Sequence, residues 1–86
     1  MPEASLPEVD FGTFVLSLAS SVLIHLGELP DPDTSASTLD LELAKQTLNV
    51  LGMLREKTRG NLSPEESQLL EQLLYDLRMK YLARKG

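Results

Sequence analysis

The segment Ser63-Pro64-Glu65-Glu66, arriving directly after Gly60-Asn61-Leu62, constrains this chain more than any other feature. Gly60-Asn61 is a strong helix stop. Ser63 can cap the first free amides of a new helix, Pro64 suits its first position, and Glu66 can reach back to complete a capping box. Leu62, just before the cap, is placed as a hydrophobic staple against Ser67 or Leu70. Two helical runs therefore flank a four-residue link. Links that short join antiparallel neighbours, so the second and third helices are expected to form a hairpin.

Helical spacing accounts for the rest of the chain, and no stretch alternates long enough to read as a strand. The fold class expected is all-α, with helices at about 10–27, 40–59 and 63–84, the first packed across the hairpin of the other two. Asp10 and Asp40 are the expected N-caps of the first two helices, and Gly27 suits the left-handed residue that ends the first. Phe11, Phe14, Val15, Leu18, Val22 and Leu26 form an inward stripe on the first helix. Leu16, Ala19, Leu23 and Ile24 fall outside that stripe, so this helix is apolar on more than one side. Its small residues Ser17, Ala19, Ser20 and Ser21 would let another helix come close. The inner stripe expected on the second helix is Leu43, Thr47, Val50, Leu51, Leu54 and Thr58. On the third it is Leu69, Leu70, Leu73, Leu74, Leu77 and Tyr81, with Asp76 spaced to pair with Lys80.

Residues 1–8 read as a disordered leader, residues 9–86 as one helical domain, and 29–39 as a flexible linker rich in Pro, Asp and Ser. An 86-residue chain without cysteine has no disulfide or thiolate metal site to draw on, and its core alone is thin. The net charge of -5 is unevenly spread, for residues 1–44 hold eight acids and no Lys or Arg, while residues 45–86 hold five acids and eight bases. That asymmetry favours contact between copies of the chain. Interleaved acids along the basic half argue against nucleic acid as a partner. The longest uncharged run, Phe11 to Gly27, is short and polar for a membrane helix, so a cytoplasmic location is expected.

No catalytic constellation emerges, and no cofactor is expected. Asp31, Asp33, Ser35, Ser37 and Glu42 have the spacing of a calcium loop, but Ala36 stands where that loop needs glycine and Pro32 stiffens it, which favours a solvated acidic linker. His25 with Glu28 offers too few ligands for a metal. A histidine at a helix end is better read as bonding a backbone carbonyl or complementing the helix dipole. The serines of the first helix lack a base. Lys57, Arg59, Arg78, Lys80, Arg84 and Lys85 read as ordinary solvated helix surface. Gly52 costs its helix about 1 kcal/mol relative to alanine. Something is therefore expected to approach its backbone, either the first helix or a partner.

Several longer runs add a resemblance: Val9-Asp10-Phe11 through Pro30-Asp31-Pro32 with its His25-Leu26-Gly27-Glu28 turn, Leu43-Ala44-Lys45-Gln46-Thr47, Gly52-Met53-Leu54, Glu56-Lys57-Thr58, Gly60-Asn61-Leu62 and Leu74-Tyr75-Asp76-Leu77-Arg78. Together they resemble the bacterial family known as domain of unknown function 1844. The resemblance implies a small cytoplasmic helical protein without assigned catalytic residues. It draws attention to the polar positions His25, Gln46, Lys57, Asn61, Tyr75 and Arg78.

The function expected is that of a homo-oligomeric protein-interaction module, not an enzyme. Phe14, Leu18, Ser21, Val22, His25, Gly52, Tyr75 and Arg78 are its candidate interface residues. The alternatives are a monomeric adaptor that takes a partner helix between the first two helices, and a metal sensor built on residues 25–42.

Overall fold

A computed structural model describes residues 9–34 and 39–86. Three helices follow one another, α1 (Phe11–His25), α2 (Leu41–Lys57) and α3 (Pro64–Lys85), with no strand among the described residues. The leader at 1–8 and the middle of the linker at 35–38 lie outside the described residues.

Each boundary has a local cause. The Asp10 carboxylate accepts from the Thr13 amide at 2.7 Å and the Asp40 carboxylate from the Leu43 amide at 3.1 Å. At α3 the expected capping box is complete: Ser63 Oγ accepts from the Glu66 amide at 3.1 Å, and Glu66 Oε1 from the Ser63 amide at 2.9 Å. α1 ends where Gly27 turns left-handed, φ 77°. There the Gly27 amide donates to the Ile24 carbonyl and the Glu28 amide to Leu23, the paired closure that only a residue at ease with positive φ allows. Gly60, φ 85°, serves the turn after α2.

All three helices pack against one another around one core. α1 buries Val15, Ala19 and Val22, with Leu26 just beyond it. α2 buries Ala44, Leu48 and Leu51, and α3 buries Leu70, Leu74 and Leu77. The stripe on α3 is where its spacing put it. On α2 the centre of burial differs from the expected one. Leu43 is exposed, and Thr47, Val50, Leu54 and Thr58 are only half-buried. Leu51 is fully buried as expected, and the rest of the fully buried line, Ala44 and Leu48, lies beside the expected stripe. On α1, Ala19 joins the core and Phe14 stays 40% exposed. A narrow seat between two helices takes a methyl more readily than a ring.

Specific contacts tie the elements together. The Asp40 amide donates to the His25 carbonyl at 2.7 Å, holding the start of α2 against the end of α1. Glu28 pairs with Arg84 at 3.1 Å, and Arg55 with Glu71 at 2.6 Å. A Cβ placed on Gly12 would meet Leu69 at 3.6 Å, which locates the start of α1 beside the early turns of α3. Asp76 accepts from Gln72, one turn earlier, at 3.2 and 3.3 Å, whereas the spacing had suggested Lys80.

Candidate functional site

The residues singled out in the sequence divide between the core and two surfaces. Val22 belongs to the core. It is fully buried within the chain, so as an interface residue it is corrected: a side chain closed in by its own fold has no surface to offer a partner. Phe14 is exposed, while Leu18, Ser21 and His25 are half-buried along the same side of α1. Gly52, Tyr75 and Arg78 gather elsewhere, where α2 meets α3.

The α1 surface is defined by what it lacks. No Asp, Glu, Lys or Arg occurs between Phe11 and Gly27, although most of the outward side of the helix meets solvent. Phe14 and Leu16 are 40% and 49% exposed, with Ser17 and Ser20 exposed between and beyond them. Ser17 Oγ donates to the Phe14 carbonyl at 2.8 Å, which satisfies the hydroxyl within its own helix. The Ser17 hydroxyl therefore adds little polarity to this side.

His25 closes that side at the end of α1. Its Nδ1 is buried and has no hydrogen-bond partner among the described residues. The expected side-chain bond to a carbonyl is absent at this nitrogen; it is the His25 backbone carbonyl that is engaged, by Asp40. Glu28 is drawn away to Arg84, so no His25–Glu28 pair forms. Asp31 Oδ1 accepts from the Asp33 amide at 2.8 Å and stabilises a turn. Ser35 and Ser37 of the calcium-loop spacing lie outside the described residues. Among the described residues no group of three or more His, Asp or Glu side chains is placed to hold a metal ion, and no helix is long and apolar enough to cross a membrane.

The second surface answers what approaches Gly52. A Cβ built there would stand 3.2 Å from Arg78 Nη2, so the neighbour is a guanidinium from α3 and not α1. Among the described residues the Arg78 guanidinium has no hydrogen-bond or ion-pair partner. Tyr75, Met79 and Leu82 around it are 65%, 52% and 57% exposed. The other three arginines, Arg55, Arg59 and Arg84, are each paired with a glutamate. Arg59 grips both oxygens of Glu56 at 2.7 and 2.8 Å, which pulls that carboxyl below the ordinary glutamate value and raises the arginine. A shallow cavity of about 100 Å³ lies at the turn between Arg55, Arg59, Gly60, Leu62, Ser67, Leu70 and Glu71. Both of its arginines are neutralised by glutamates, which leaves it without net attraction for an anion.

Comparison with known families finds that the model described as Domain of unknown function (DUF1844) matches residues 8–83. No curated protein and no solved structure matches the chain.

Proposed function

The chain belongs to the DUF1844 family, and from that premise we propose that it acts as a homo-oligomeric protein-interaction module of the bacterial cytoplasm rather than as an enzyme. The observation that carries this reading is the uncharged outward side of α1, with Phe14 and Leu16 left exposed around serines. Solvated helix faces ordinarily carry charge. A helix that leaves its outer side uncharged and partly apolar is suited to cover by another helix, and small residues let two backbones approach closely.

The spacing favours a second copy. Phe14, Ser17, Ser21 and Ile24 fall along one line of α1, with the small residues in the middle and the large ones at the ends. Antiparallel pairing of two such lines sets Phe14 near Ile24 of the other copy and the serines against each other. That pairing is closed by a two-fold axis, the commonest symmetry of oligomers. Within each copy the pairing is supported by an antiparallel α2/α3 hairpin with α1 across it, an arrangement that fits the Arg55–Glu71 and Glu28–Arg84 contacts.

Light scattering over a wide concentration range tests this. The expected result is a stable multiple of the 9.5 kDa chain, with Ser21→Arg lowering both mass and melting temperature. A folded monomer at every concentration would overturn it. One observation favours a second reading, a monomeric adaptor that takes a partner helix between α1 and α2: exposed Leu43 continues the half-buried Val50 and Leu54 along α2, apolar side chains that a partner helix can cover.

A further inference from the structure

We propose that α3 forms a second, separate contact between copies of this chain, an antiparallel pairing of α3 with α3 across a two-fold axis at Tyr75. One line of α3 runs through Gln68, Glu71, Tyr75, Arg78, Leu82 and Lys85, every one of them exposed. Its spacing alternates three and four residues, the repeat that keeps one seam of a helix facing a partner helix over several turns. A solvated face needs no such partner, so the content of the seam decides the matter.

The charges along it are self-complementary. Before Tyr75 the line carries Glu71 and no cation; after it come Arg78 and Lys85 and no acid. Reversing one copy against another sets Glu71 opposite Arg78 on both sides of a central pair of Tyr75 rings, and Gln68 opposite Leu82. A parallel pairing sets like charges together instead. Glu71 is half exposed and meets Arg55 through Oε2, leaving Oε1 to accept from an arginine of the other copy. Among the described residues Arg78 has no carboxylate partner, and the missing Cβ of Gly52 gives its guanidinium a seat against α2. Tyr and Arg are the residue types that most often dominate the centres of interfaces. A glycine in the middle of α2, unfavourable for the helix itself, thus acquires a use: it leaves room for the arginine that the second copy engages.

This contact is independent of the one through α1, and the two together predict a tetramer with two kinds of two-fold interface. Multi-angle light scattering of the full chain, with circular dichroism to check folding, distinguishes them. Wild type is expected as a tetramer. Arg78→Glu, which sets acid against acid twice, is expected to halve the mass with helicity unchanged. Glu71→Gln, which removes the acid without setting a second cation beside Arg55, is expected to weaken the pairing and move the dimer–tetramer midpoint to higher concentration. Tyr75→Arg, at an exposed position of the single chain, provides an independent lesion and is expected to halve the mass as well. Gly52→Ala keeps every charge and is expected to shift the dimer–tetramer midpoint to higher concentration. An Arg78→Glu or Tyr75→Arg protein with wild-type mass overturns the α3 contact. The α1 contact fails separately, in a Ser21→Arg protein whose mass is unchanged.

Discussion

α1 and α3 each bury one stripe in the same core, yet they are stabilised in different ways. α3 carries most of its support within itself: 22 residues, a complete capping box, proline in its first turn, acids at its start and Arg84 and Lys85 in its last turn. Cations there complement the carbonyl end of the helix. α1 has 15 residues, one carboxylate cap and no acid in its first turn, and it buries Val15, Ala19 and Val22 where α3 buries three leucines. An isolated helix of that length is marginal in water. α3 can therefore organise the fold, while α1 depends on what packs against it.

The largest expected effect tests that ranking. Leu74→Ala should cost about 2–5 kcal/mol through lost burial and the cavity left behind, and Val22→Ala about 2 kcal/mol or less, in proportion to its smaller side chain. Urea denaturation of both variants measures the gap. Equal losses would mean that the two helices share the core evenly. A smaller effect is expected at the α3 cap. Ser63→Ala should cost about 1 kcal/mol, and amide exchange should quicken in the first turn of α3 while α1 keeps its protection.

The smallest effect concerns α1 and pH. The amide of Thr13 donates to Asp10 and holds its carboxyl below the ordinary aspartate value. A depressed folded value makes the ionised cap a stabilising group above the unfolded value. That contribution is lost as pH falls from about 4 toward the lower folded value. The start of α1 should therefore fray first in acid, seen by NMR at Phe11 to Phe14. Asp10→Asn, which still accepts the amide bond, should remove the pH dependence from that turn. Fraying that persists unchanged in the asparagine variant would assign it to another group.

The helix boundaries were readable because their causes are short-range. Asp10, Asp40 and Ser63 cap amides three residues away, and Gly27 and Gly60 supply positive φ within the turns that need it. Most of the α3 stripe was readable for a related reason, since its leucines concentrate on one side. The candidate surfaces were legible only in outline. The uncharged run of α1 stands out in the sequence, but which of its apolar side chains remain outside does not. Nor did spacing show that the approach to Gly52 comes from Arg78, 26 positions away along the chain.

The three helices, their starts and stops to within about two residues, and the uneven division of charge between the halves were all legible from the residues alone. These follow from hydrogen bonds and dihedral preferences spanning a few residues. Packing between the helices decided that Ala19 goes inside while Phe14 stays out, that Ala44 and Leu48 rather than Leu43 join Leu51 in the buried line of α2, and that Val22 is closed in by its own chain. A helix with apolar residues on several sides has more than one face to bury, and the volume left between its neighbours makes the choice.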